Sequence, residues 1–129
     1  MYCLDTSVLV DFFRNDAIII QKLNELSDEC ALFISTPILC ELYKGSFISS
    51  KSNKDIASVK DFLSFVEIAD FNIEACEWFG KEYARLQKLG RTPPEIDLMI
   101  ASIAKTNGLT LITRDKRDFL NIDIKVEVW

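Results

Sequence analysis

Short apolar runs alternate along this chain with longer segments whose apolar residues recur at helical spacing, and that alternation confines it to a parallel sheet wrapped by helices. The fold class is therefore α/β. Strands are expected near Tyr2 to Asp5, Ala31 to Ser35, Val66 to Ala69, Leu109 to Thr113 and Lys125 to Val128, five short runs that make one sheet. Thr6 or Ser7 is suited to cap a helix ending at Arg14, Asp16 to cap the next, and Thr36-Pro37 reads as an N-cap followed by proline at the first helical position. Two more helices are expected, Asn72 to Leu89 stopped by Gly90 and Pro94 to Asn107 stopped by Gly108. The Ser-, Lys- and Asn-rich stretch from Gly45 to Ser58 is expected to contain a mobile connection between helices.

At 129 residues the chain has the length of one domain, residues 1–129, with no internal repeat. Fifteen basic against twenty acidic residues give a net charge of −5, so any polyanion would have to be met by a local basic patch. The absence of histidine removes Ser-His-Asp triads, Cys-His dyads, His-based ribonuclease chemistry and His-containing zinc sites together. Cys3, Cys30, Cys40 and Cys76 form no CxxC pair and are expected as buried free thiols. No leader-like or membrane-spanning run is evident, so an intracellular, cytoplasmic protein is expected.

In a parallel α/β sheet ligands bind beyond the carboxyl ends of the strands. Asp5 ends the first strand in apolar surroundings, where an unpaired charge is costly and a partner is expected. Glu41 lies one turn into the helix after the second strand. Asp97 shares a helix face with Ile100, Ala101 and Ala104 and points inward, and Asp115 follows the fourth strand by two residues, with Asp118 one turn further on. Each acid alone has an ordinary structural role open to it, as a cap, a dipole partner or half of an ion pair. Clustered acids are another matter: two carboxylates ~4 Å apart repel by roughly 4 kcal/mol at an effective dielectric near 20, so a cluster calls for a cation or shared protons. Without histidine, a hard ion such as Mg²⁺ or Mn²⁺ held through oxygen meets that need, and such ions complete their shell with water and phosphate oxygens. Arg14, Arg85, Arg91 and Arg114, with Lys81, Lys88, Lys116 and Arg117, are candidate contacts to a phosphate backbone; a solvated helix face paired with Glu77 and Glu82 is the alternative.

The blocks Leu4-Asp5-Thr6-Ser7-Val8-Leu9, Ser35-Thr36-Pro37-Ile38-Leu39-Cys40-Glu41-Leu42-Tyr43-Lys44-Gly45, Glu95-Ile96-Asp97-Leu98-Met99-Ile100-Ala101 and Ile112-Thr113-Arg114-Asp115-Lys116-Arg117-Asp118-Phe119, closing in Val126-Glu127-Val128-Trp129, resemble the PIN domain, specifically the VapC-type toxin ribonucleases. The resemblance runs from end to end. It implies a three-layer α/β/α sandwich with a parallel sheet of order 3-2-1-4-5 and a Mg²⁺- or Mn²⁺-dependent endoribonuclease. It also implies an RNA substrate, a VapB-like antitoxin partner and a homodimer. Asp5 and Asp97 match the family's metal-binding aspartates, Glu41 its glutamate and Asp115 its fourth site, with Thr113, Ser7 and Asp118 in support. Many members have Asn at the position of Ser7. Many also have Asn at Asp115 with the acid at Asp118, which leaves open which of the two completes the set, Asp115 being the expectation here.

A haloacid-dehalogenase-like phosphotransferase needs an acid where Ser7 stands, and a response-regulator receiver using Asp70 leaves Glu41 and Asp97 idle. The rival from another class is a non-catalytic PIN-like domain that keeps the acids and binds a protein through residues such as Ile18, Ile19, Phe47, Ile48, Phe62 and Phe65.

Overall fold

The computed structural model of the chain describes residues 1–129. In chain order the elements are β1 (Tyr2–Leu4), α1 (Thr6–Phe13), α2 (Ala17–Glu29), β2 (Leu32–Ser35), α3 (Thr36–Ile48), α4 (Ser52–Phe62), β3 (Glu67–Ala69), α5 (Ile73–Lys88), α6 (Glu95–Thr106), β4 (Thr110–Thr113), a 3₁₀ turn (Lys116–Phe119) and β5 (Val126–Val128). The five strands pair in parallel in the order β3-β2-β1-β4-β5, with helices on both sides of the sheet. Each strand sits where an apolar run was expected, and the order is the one the resemblance implied.

Coverage of both faces explains why the central strands read as unbroken apolar runs. Cys3, Leu4, Ile34, Leu111 and Ile112 are fully buried, and the core continues into the helices through Val8, Leu9, Ile38, Leu86, Leu98 and Ile100. Asp16 caps α2, its Oδ1 accepting from the Ile18 and Ile19 amides, and Asn72 caps α5 through the Ala75 amide. Gly90 and Gly108 have φ of 67° and 64°, the left-handed conformation that closes α5 and α6.

The connection between helices expected within Gly45 to Ser58 lies at residues 49–51: α3 continues through Gly45 to Ile48, with the Ser46 hydroxyl on the Leu42 carbonyl, and α4 begins at Ser52. Three local expectations are corrected. Neither Thr6 nor Ser7 caps α1; Asp5 takes the N-cap position, and the two hydroxyls are used elsewhere. Ser35 rather than Thr36 occupies the N-cap of α3. Of the four free cysteines only Cys3 is buried, Cys30 is partly covered, and Cys40 and Cys76 are exposed.

Candidate active site

The pairing of β1 with β4 sets Leu4 opposite Ile112, so the next residues, Asp5 and Thr113, meet at the carboxyl edge of the sheet. The Asp5 amide finishes the ladder by donating to the Ile112 carbonyl, and its own carbonyl accepts from the Val8 and Leu9 amides to open α1. Its carboxylate therefore stands at the junction of strand and helix, only 6% exposed. Asp5 Oδ2 accepts from Thr113 Oγ1 at 2.7 Å and from Ser7 Oγ at 3.1 Å. Each hydroxyl in turn accepts a backbone amide, Arg114 N on Ser7 at 2.9 Å and Asp115 N on Thr113 at 3.1 Å. This chain of donors fixes the Asp5 side chain and the turn after β4 together.

Three further carboxylates share a recess with Asp5. Glu41 projects from α3 and accepts from Thr6 Oγ1, Asp97 lies in the first turn of α6, and Asp118 comes from the 3₁₀ turn. Together with Thr6, Ser7, Lys44 and Gly45 they line a pocket of about 330 Å³ in which no lining residue is hydrophobic. Burial raises the Asp5 carboxyl above the usual range, with Glu41 adding to the rise and the Thr113 and Ser7 hydroxyls opposing it. Burial together with the charges of Asp118, Asp5 and Glu41 lifts Asp97 to about 6. Asp118 is raised by the same two causes, burial and then its acidic neighbours.

Asp115 behaves oppositely. Its oxygens accept from the Arg117 amide at 3.0 Å and from the Arg117 guanidinium at 3.1 Å, which holds its carboxyl below the ordinary value. It caps the 3₁₀ turn and does not line the pocket, whereas Asp118 does. The structure thus brings together Asp5, Glu41, Asp97 and Asp118, with Ser7 and Thr113 behind Asp5, and turns Asp115 toward Arg117.

The donors facing the pocket are all oxygen, carboxylate and hydroxyl, a set that suits a hard divalent ion and not a soft one. No three acids converge closely enough to enclose an ion by themselves. Mg²⁺ usually keeps several of its waters and is bound through one or two carboxylates together with phosphate oxygens.

A PIN domain model matches residues 2–125. The chain belongs to the PIN domain family. It is 30% identical to "Ribonuclease VapC2" of Haemophilus influenzae over 99% of this chain and 97% of that protein. It is also 30% identical to "tRNA(fMet)-specific endonuclease VapC" of Salmonella typhimurium, over 99% of this chain and 97% of that one. Among solved structures it resembles VapBC2 of Rickettsia felis bound to a promoter DNA fragment, with a TM-score of 0.91, 29% identity and coverage of 99% of this chain and 98% of that one. VapBC-1 of nontypeable Haemophilus influenzae gives a TM-score of 0.89 at 29% identity, covering 99% and 97% of the two chains.

None of Arg14, Arg85, Arg91 and Arg114 lines the carboxylate pocket of this PIN domain. Arg85 is bound to Glu82 and to the Asn121 carbonyl, Arg91 to Asn121 Oδ1, and Arg114 forms an ion pair with Asp11 at 3.0 Å. Arg14 lies at the far end of α1, roughly 14 Å of helical rise from Asp5. The cation that lines the pocket is Lys44, which forms no salt bridge within the chain. It and Gly45 follow Glu41 at i+3 and i+4, a helical spacing that marks them as neighbours once α3 is carried past Gly45. Of the apolar residues considered for a protein partner, Ile19 and Phe62 are buried, while Ile18, Phe47, Ile48 and Phe65 are exposed.

Proposed function

We propose that this PIN domain is a Mg²⁺- or Mn²⁺-dependent endoribonuclease, the VapC-like toxin of a type II toxin–antitoxin pair, which acts as a homodimer and is restrained by a VapB-like antitoxin. The observation that carries the catalytic reading is the gathering of Asp5, Glu41, Asp97 and Asp118, three of them with raised carboxyl pKa values, in one pocket at the carboxyl edge of the sheet. The VapC relatives, matched over nearly their whole length, support the substrate class, and the solved VapBC assemblies support the antitoxin. No helix is long and apolar enough to cross a membrane.

When bound, a divalent ion lowers the pKa of a coordinated water and neutralises charge on the phosphate. Asp5, Asp97 and Asp118 would hold it, with Asp5 aimed by Thr113 and Ser7 and Glu41 aimed by Thr6. Asp118 takes the fourth place that the resemblance gave to Asp115, because Asp118 lines the pocket, whereas Asp115 caps the 3₁₀ turn and pairs with Arg117. Lys44 stands at the rim, where a phosphate oxygen of the strand would meet it. Asp97 must lose its proton before it can ligate, so cleavage at limiting metal is expected to rise with pH through the region of pH 6.

The test is cleavage of a mixed pool of structured RNAs by the purified protein with Mg²⁺, with Mn²⁺ and with EDTA, alongside Asp97→Asn. Cleavage that requires metal and is lost in the variant is expected. Metal-dependent thermal stabilisation without cleavage of any RNA would favour a domain that only binds, and undiminished cleavage by the variant would overturn the site.

A further inference from the structure

We propose that the apolar recess beside the carboxylate pocket receives the base of a substrate nucleotide whose phosphate lies at the acids, an inference that rests on the nuclease reading above. The recess, about 370 Å³, lies between α3 and α6 and takes its walls from Pro37 and Cys40 on one helix and Ile96 and Met99 on the other. Each pair is spaced i, i+3, so each helix offers one continuous face. Glu41 and Lys44 line both this recess and the carboxylate pocket, making the two compartments neighbours across a shared wall.

Contiguity identifies the occupant. A nucleotide joins a charged phosphate to a flat, largely apolar ring, and here an all-polar pocket adjoins an apolar one with a cation on the shared wall. The recess falls within the roughly 300–1,000 Å³ range of small-ligand sites. Ile96, immediately before a carboxylate of the site, is 43% exposed on the wall of the recess and so open to contact with a ligand. RNA read by proteins commonly presents unstacked bases, and extruded bases are held between aromatic or apolar side chains. The larger groove lined by Phe12, Phe13 and Phe62 shares no residue with the carboxylate pocket, so it is not placed to take a base attached to the reacting phosphate.

The lining also sets what the recess can distinguish. Its side chains able to hydrogen-bond a base edge are Thr36 and, on the wall shared with the carboxylate pocket, Glu41 and Lys44. Thr36 Oγ1 accepts the Phe71 amide at 3.2 Å and keeps its proton and a second lone pair. Met99 is unbranched and adapts to different shapes. The apolar walls therefore sort bases by size and apolar surface, and selection by hydrogen-bond pattern falls to the shared wall.

Met99 supplies a direct probe, because the chain contains two methionines, Met1 and Met99. Protein labelled with ¹³C at the methionine methyls is titrated, in Mg²⁺, with 5′-AMP, with 5′-CMP and with ribose 5-phosphate. Ring-current shifts of the Met99 methyl are expected with both nucleotides and not with ribose 5-phosphate. The nucleotides should bind about tenfold tighter than the sugar phosphate, the scale of one stacked base. Ile96→Ser should remove most of that ratio while leaving ribose 5-phosphate affinity and thermal stability unchanged. Equal responses to nucleotide and sugar phosphate overturn the proposal, as does a Met99 signal that follows protein concentration instead of nucleotide, which would assign this face to a contact between copies. If Met99 ignores nucleotides while RNA is still cleaved, the recess is refuted and the nuclease reading stands; loss of cleavage and of metal-dependent ribose 5-phosphate binding refutes both.

Discussion

Two acidic clusters in this molecule resolve their charge in opposite ways. Glu82, 5% exposed on α5, accepts from Arg85 Nε at 2.6 Å, from Arg85 Nη2 at 2.9 Å and from the Asp123 amide at 2.8 Å. Arg85 also reaches the Asn121 carbonyl, and Arg91 takes Asn121 Oδ1, so the network ties α5 to the segment after the 3₁₀ turn. Its donors hold Glu82 below the ordinary carboxylate range. At the sheet edge, Asp5, Asp97 and Asp118 are all pushed upward, first by burial and then by the charges of neighbouring acids, with no internal cation paired with them as Arg85 is with Glu82. A carboxylate with an internal cation strengthens the fold; one facing other carboxylates waits for a cation from outside.

The largest expected difference separates the two aspartates of the turn after β4. Asp118→Asn should lower metal-dependent RNA cleavage by about 100-fold or more, equivalent to about 2.7 kcal/mol of transition-state stabilisation, and Asp115→Asn by no more than about threefold. Reversal of that order in initial-rate measurements would return Asp115 to the fourth place. Next comes Glu82→Gln, which weakens the charge-assisted bonds to Arg85 and should destabilise the fold by about 1–3 kcal/mol, seen as a lower denaturation midpoint with an unchanged metal requirement. Because the folded-state pKa of Glu82 is depressed, its stabilisation is present above the unfolded value and fades as pH falls through the folded one, so the gap from wild type should narrow in acid.

At pH 7, Mg²⁺ at ten times its Kd should stabilise the wild-type fold by about 1.4 kcal/mol, with a smaller gain at pH 5, where Asp97 is mostly protonated. Equal stabilisation at both pH values would place the ion away from Asp97. The smallest effect runs against the usual direction of mutation. Asp97 has a raised folded pKa, so its contribution is most favourable below its unfolded value and is lost as pH rises through about 6. Asp97→Asn should therefore stabilise the metal-free protein at pH 7 by about 1 kcal/mol, this partly exposed charge being screened, and the advantage should vanish near pH 4. Calorimetry in EDTA at the two pH values reads it, and a destabilised variant at pH 7 would remove the electrostatic account of the pocket.

Much of this was legible in the sequence because the signals were local. The buried strands announce themselves as apolar runs, Asp16 stands at its cap, and Gly90 and Gly108 fall where α5 and α6 turn left-handed. Asp5, Glu41 and Asp97 were visible as charges set in apolar neighbourhoods. What escaped depended on contacts distant in sequence or on competition between partners. Thr6 and Ser7 look like caps, yet their hydroxyls have Glu41 and Asp5 to serve. Asp115 and Asp118 differ only in that Arg117 can fold back on the first. Arg85 and Arg91 read as a phosphate track because Asn121, which claims both, lies 36 and 30 positions away. Lys44 stands three residues after Glu41 on α3, but a lysine on a helix surface carries no local mark of the pocket it lines.

The bond from Thr113 to Asp5 joins residues 108 positions apart. During synthesis, Asp5 is made first of the pocket's acids, whereas its supporting hydroxyl and Asp118 emerge only after more than a hundred further residues. β1 must therefore wait for β4 before the carboxylates can be assembled, and a nascent chain stalled before Thr113 carries no finished site. Synthesis itself thus sets a delay before a chain able to cut RNA exists, an interval in which a partner made alongside it can already be at hand.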